Sequence, residues 1–140
     1  MIEVINVNYL AVVVAAILHM ALGFLWYGPL FGKMWMGMMG FTQKTIEEAK
    51  TKGGMGKNYA IALLGAFVTN WVLAYVVGFS GAATILEGMQ AGFWVWLGFM
   101  ATTTLSGVLW EGKSWKLYLL NNGHLLIGLL LSGAILAVWV

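Results

Sequence analysis

Four stretches without an ionised side chain set the pattern of the chain: Val4–Gly32, Asn58–Leu86, Gly88–Trp110 and Leu117–Val140. Each is longer than the roughly 20 residues an α-helix needs to cross hydrocarbon. None alternates apolar and polar positions with a two-residue period, as the strands of a membrane barrel would. The pattern therefore predicts an all-α integral membrane protein, a single domain over 1–140 with spanning helices at about 6–28, 58–78, 85–110 and 115–139.

Local signals place the ends. Asn6 or Asn8 can cap the first helix, and Gly28-Pro29 is expected to end it, because proline constrains the residue before it. Gly78-Phe79-Ser80-Gly81 makes a tight connection. Thr84 and Glu87 then have capping-box spacing and start the third helix. Glu111-Gly112-Lys113 forms the next turn, after which Ser114 caps the fourth. The loop over 29–57 divides in two. Leu30–Met36, aromatic and Met-rich with one lysine, suits an amphipathic segment lying in the interface. Thr42–Lys52 reads as a short helix with a second capping box at Thr45 and Glu48, released by Gly53-Gly54-Met55-Gly56.

Composition agrees with this pattern. The chain is 61% hydrophobic and 9% charged, against about a quarter charged in soluble domains. Without cysteine it has no disulfide, thiolate metal site or thiol nucleophile. Seven lysines, no arginine and no basic run give no nucleic-acid surface. Lys33, Lys44, Lys50, Lys52 and Lys57 fall in the first loop, and Lys113 and Lys116 at the third, so all lie at one end. The positive-inside rule makes that end cytoplasmic and puts both termini outside, in a bacterial inner membrane. Trp26, Tyr27, Trp35, Tyr59, Trp110, Trp115 and Tyr118 gather near the inner face, with Tyr9, Tyr75 and Trp139 near the outer one. The first helix is not expected to be a cleavable signal, since Glu3 precedes it and bulky Trp26-Tyr27 closes it.

Polar groups at membrane depth are the candidates for function, because each must find a partner or cost free energy. His19 and His124 lie about 12 and 14 Å from the inner interface at 1.5 Å per residue, with Asn121, Thr103 and Ser106 at similar depth and Asn70 nearer the middle. A shared polar layer is the expectation. Ala11, Ala15, His19, Gly23 and Trp26 share one stripe of helix one, and Asn121, His124, Gly128 and Ser132 share one of helix four, which turns both imidazoles towards neighbouring helices. Gly88-xxx-Gly92 and Gly128-xxx-Ser132 are further contact motifs. The ordinary reading has each neutral imidazole hydrogen-bonded to Asn, Thr or Ser across an interface. Alternatives are a proton or substrate path lined by His19, His124, Asn70 and Thr103, or axial haem ligation by the two histidines. No catalytic residue, metal or cofactor is predicted. Phe93, Trp94, Trp96 and Phe99 read as lipid-facing and packing groups.

The run Gly23-Phe24-Leu25-Trp26-Tyr27-Gly28-Pro29-Leu30-Phe31-Gly32-Lys33-Met34-Trp35 resembles the hallmark of a bacterial membrane family catalogued as domain of unknown function seventeen sixty-one. Asn8-Tyr9-Leu10-Ala11 is similar to that family's opening. The resemblance implies a small four-helix membrane protein and no assigned activity. On its residues the hallmark reads as architecture: Gly28-Pro29 ends a span, Trp26, Tyr27, Phe31 and Trp35 anchor it, and Lys33 stays among headgroups. The alternative gives Trp26, Tyr27 and Trp35 a lipid or quinone to hold at the inner leaflet. The chain as a whole reads as a non-enzymatic module that forms a homo-oligomer or joins a larger membrane complex, with a small transporter as the alternative and a haem or quinone redox protein as a third. The topology makes a direct prediction. A reporter fused to the C-terminus should be active only outside the cytoplasm, and a cytoplasmic signal would overturn the orientation.

Overall fold

The computed structural model describes residues 5–51 and 55–139. Glu3, Val4, Lys52, Gly53, Gly54 and Val140, which the sequence expectations named, lie outside the described residues, as do the side chains of Lys50 and Met55. The elements in order are α1 (Tyr9–Leu25), a π-helical turn (Trp26–Leu30), α2 (Gly32–Met39), α3 (Gln43–Thr51), α4 (Met55–Ser80), α5 (Ile85–Val95), a second π-helical stretch (Trp96–Ala101), α6 (Leu105–Leu109) and α7 (Trp115–Val138). No strand occurs among the described residues. Four segments are long and apolar enough to cross a bilayer: Tyr9–Leu30, Gly56–Ser80, Ile85–Leu109 and Trp115–Val138. The protein is an all-α, multi-pass membrane protein.

Most of the predicted caps are present. Asn8 accepts from the Ala11 amide at 3.2 Å, and Ser114 accepts from the Leu117 amide at 3.1 Å. Thr84 accepts from the Glu87 amide at 3.1 Å, while the Glu87 carboxylate reaches back to the Ala83 amide at 2.8 Å. At the end of α4 the Ala82 amide donates to the Val77 carbonyl and the Gly81 amide to that of Gly78. Gly81 has φ +74°, the left-handed position that this double closure requires.

Four expectations are corrected. First, Gly28-Pro29 does not stop the helix. Proline has no N–H to give and its ring crowds the carbonyl four residues back, so the chain widens by one residue and the Phe31 amide bonds the Trp26 carbonyl at 2.9 Å. The span thus runs on to Leu30 and turns sharply only at Phe31, with φ −126° and ψ 12°. Gly32 follows so close beneath the turn that a Cβ there would sit 2.8 Å from the Tyr27 carbonyl oxygen. Second, Thr42 rather than Thr45 caps α3, accepting from the Thr45 amide at 3.2 Å; the cap lies one turn earlier because the hydroxyl three residues upstream reaches the first free amide. Third, α4 begins at Met55, before Asn58, since nothing between Gly56 and Asn58 breaks a helix and Lys57 can extend its ammonium into the headgroups. Fourth, the third span is not one helix. Its π-helical stretch leads into the turn Thr102-Thr103-Thr104, whose hydroxyls donate to the carbonyls of Gly98, Phe99 and Met100 at 2.7, 2.7 and 2.6 Å. Such back-bonding competes with the helical ladder.

Helix α7 is the centre of the bundle, touching α1, α4 and α5. The core joins Ala11 and Val12 of α1, Leu73 and Val77 of α4, and Leu129, Leu136 and Ala137 of α7. The closest approach is between α5 and α7. A Cβ added to Gly88 would collide with the Gly133 carbonyl, and one added to Gly92 with the Leu129 carbonyl. Between helices in lipid, where apolar side chains gain little by leaving one apolar solvent for another, such backbone proximity supplies the attraction. Chain ends and loops sort accordingly. The Asn8 side-chain Nδ2 donates to the Trp139 carbonyl at 3.5 Å, while the Ser114 hydroxyl meets the Met38 sulfur at 3.9 Å, so the first and third loops share one end and the two termini the other.

The close seam predicts a contrast. Gly92→Leu should lower stability by roughly 1–3 kcal/mol through overpacking. Gly98→Ala, where an added Cβ meets nothing, should change it by less than about 0.5 kcal/mol. Reversible unfolding in detergent reads both, and equal losses would contradict the α5–α7 seam.

Candidate functional site

The stripe on α1 brings small and large residues into register with α7. His19 lies against Gly128, where a Cβ would be 2.8 Å from His19 Cε1. Gly23 lies against His124, and Gly123 against the Trp26 ring. Each ring therefore occupies space that a glycine on the other helix leaves free. The two imidazoles meet edge to face, ring centres 5.5 Å apart.

Past Gly23 the wide turn carries the hallmark around α7. Trp26 and Tyr27, consecutive and so about 100° apart on a helix, reach two adjacent residues of α7. The Trp26 indole N–H donates to the Leu120 carbonyl at 3.1 Å, and the Tyr27 hydroxyl donates to Asn121 Oδ1 at 2.7 Å. The Tyr27 ring stands 5.3 Å from His124, and Trp35 of α2 folds back to 5.2 Å from Tyr27. Phe31 covers Trp26 at 4.8 Å. Hallmark and histidine pair, separate features in the sequence, form one aromatic cluster. Lys33 does not line the cavity beneath it.

That cavity has a volume of about 700 Å³. Its walls are His19, Met20, Gly23, Phe24 and Tyr27 of the first span with Gly28, Trp35 of α2, His124 of α7, and Tyr59, Ala62, Ala66 and Thr69 of α4. No Lys, Arg, Asp or Glu is among them. Outside it runs a groove of about 400 Å³, lined by Ile17, Ala21, Ala60 and Leu63, which shares Met20, Phe24 and Tyr59 with the inner cavity. Phe24 and Tyr59 form the common rim, rings 5.3 Å apart and each about half exposed. The α4 wall was missed in the sequence, although Ala62, Ala66 and Thr69 follow the same one-face spacing that exposed the α1 stripe.

The polar layer expected from depth divides into parts. Thr103 and Ser106 do not meet the imidazoles. They line a smaller cavity, about 280 Å³, with Thr104, Asn122, Tyr118 and the Glu111–Lys113 pair, whose charges are 3.6 Å apart and exposed. Asn121 borders this cavity while holding Tyr27. Asn122, which the sequence reading passed over, is buried and donates to Thr104 Oγ1 at 3.0 Å and to the Tyr118 carbonyl at 3.1 Å; the Thr triplet was the available signal. Asn70 is fully buried and donates to the Ala66 carbonyl of its own helix at 2.8 Å.

Neither imidazole has the Asn, Thr or Ser partner expected of it. Among the described residues His19 and His124 make ring contacts and no hydrogen bond, and His19 Nδ1 and His124 Nε2 are buried without a partner. The physical reason is the glycine opposite each ring: Gly128 and Gly23 offer space and no side-chain polar group. Chemically the site is thus an uncharged, aromatic-walled hollow at membrane depth with spare imidazole hydrogen-bonding capacity.

Compared with known proteins, the chain matches a family model described as "Protein of unknown function (DUF1761)" over residues 10–137. No curated protein and no solved structure matches.

The Tyr27–Asn121 bond gives a checkable coupling. Tyr27→Phe should cost about 1 kcal/mol in detergent unfolding, and Asn121→Ala should cost less on the Tyr27→Phe background than alone. Strictly additive costs would mean that the two side chains do not interact.

Proposed function

This chain belongs to the DUF1761 family, whose description names no activity, and we propose that it is a non-enzymatic membrane module whose working part is a seat for an amphiphile entering sideways from the bilayer. The observation that carries the reading is the shared rim. One hollow holds the imidazoles and aromatic rings, the adjoining groove is apolar, and Met20, Phe24 and Tyr59 border both. A molecule with a compact head and a hydrocarbon tail matches that pair in order and size, since ligand sites commonly enclose roughly 300–1,000 Å³. In this reading the lysine-bearing end is cytoplasmic in a bacterial inner membrane, so the seat opens to the inner leaflet.

The module is further proposed to assemble, as a homo-oligomer or an accessory subunit. The third span supports this: it is the least buried of the four, and Trp94 and Phe99 are 65% and 74% exposed. Lipid can cover those rings, and so can a partner helix. The transport alternative draws less support, because Thr103 and Ser106 border a different cavity from His19 and His124. Axial haem ligation would require the two rings to part, since their edge-to-face contact at 5.5 Å leaves no gap for a macrocycle.

The seat can be tested with a long-chain alcohol carrying a mid-chain diazirine, photolysed with the protein in lipid nanodiscs. Label should concentrate on Met20, Phe24, Ala60 and Leu63 and fall severalfold when Ala62→Phe fills the inner cavity. Label spread evenly over exposed positions such as Leu64 and Leu119 would overturn the proposal.

A further inference from the structure

The unpartnered ring nitrogens say which kind of head the seat takes, an inference that rests on the amphiphile reading above. A neutral imidazole has one N–H and one bare nitrogen. Both rings are taken as neutral, because an imidazolium at membrane depth needs an acidic partner and no Asp or Glu lines this cavity. In each ring one nitrogen, Nδ1 of His19 and Nε2 of His124, is sealed from solvent with no partner of either kind. A buried N–H without an acceptor is the rarer and costlier of the two orphans. The proton therefore belongs on the other nitrogen of each ring.

We propose that His19 carries its proton on Nε2 and His124 on Nδ1, and that these two N–H groups bind the carbonyl oxygen of a neutral amphiphile, a quinone-type head on an apolar tail. Both rings line the cavity and make no hydrogen bond among the described residues, so their N–H groups can donate into it beside the donors that Trp35, Tyr59 and Thr69 also bring to its walls. Tyr27 does not compete for the role, since its hydroxyl proton is committed to Asn121. The head is an acceptor because the imidazole protons need one. It is uncharged because no Lys or Arg lines the cavity, so a phosphate or carboxylate would be buried without a counter-charge. It is flat and conjugated because Tyr27 and Trp35 wall the space beside His124 with ring faces and edges. Thr69, on the opposite wall, supplies a hydroxyl for a second polar atom of the head.

Competition against the diazirine alcohol tests this on the full chain in nanodiscs, with three competitors of similar tail: a decyl benzoquinone, dodecyl phosphate and dodecylamine. The quinone should displace the label at a concentration about tenfold lower than either charged amphiphile. His19→Phe and His124→Phe, which leave no polar atom unsatisfied, should each lower the concentration advantage of the quinone over dodecyl phosphate about tenfold. His19→Gln and His124→Asn put an amide N–H near the positions of Nε2 and Nδ1 and should retain the preference, whereas the exchanged pair, His19→Asn and His124→Gln, should lose it. Nitrogen NMR of histidine-labelled protein gives an independent readout: a protonated Nε2 for His19 and a protonated Nδ1 for His124. Equal competition by all three heads with the label intact would overturn this inference while sparing the seat. Best competition by dodecylamine, or the opposite tautomers, would overturn it as well. Absence of any localised label would remove the seat and this inference together.

Discussion

Pro29 has no N–H to give to the helix that contains it, and the wide turn that accommodates this lack sets the path of the hallmark from Tyr27 to Trp35. Widened by one residue, with the Phe31 amide reaching back to Trp26, it lets the indole and the phenol bond consecutive residues of α7 while Gly32 slips beneath the Tyr27 carbonyl. The chain then doubles back far enough for Trp35 to close over Tyr27. Wide turns of this kind recur at functional sites, and here the reason is visible in what the turn brings together.

The second constraint is the pairing of glycine with ring. Helices in lipid approach closely only where side chains are small, and α7 uses that freedom twice. Towards α5, Gly133 lets backbones touch. Towards α1, Gly123 and Gly128 leave room for Trp26 and His19, as Gly23 on α1 does for His124. The first use holds the bundle. The second inserts rings without giving them polar partners, which leaves a buried, unpartnered nitrogen in each imidazole that borders the cavity. A site built to be complete in itself would have put Ser or Asn where these glycines stand.

Much of the fold was legible because its determinants are local. Runs free of charge longer than a bilayer is thick give spans, and Asn8, Thr84 and Ser114 cap helices through amides three residues on. Facing stripes of small residues also told correctly that both histidines turn inward. What was not legible depends on more than one segment at once. Pro29 read as a terminator because its alternative, a wider turn, becomes worthwhile only when α7 offers Leu120 and Asn121 as partners. The break at Thr102-Thr103-Thr104 was overlooked because those residues look helical by hydropathy, although three hydroxyls in succession were a warning. The cavity was only partly legible: Tyr27 and Trp35 pointed to it, but its α4 wall of Tyr59, Ala62, Ala66 and Thr69 was overlooked, and sequence depth alone grouped His19 with Thr103 and Ser106, which border another hollow.

Whether the hollow beneath Tyr27 is a seat for a lipid-soluble molecule is tested most directly by an experimental map of the protein in native-lipid nanodiscs. Elongated density is expected with its head between His19, His124 and Thr69 and its tail passing the Phe24–Tyr59 rim into the outer groove. Collapse of α4 onto α1, with Ala62 and Ala66 packed against Gly23 and no density between them, would contradict it.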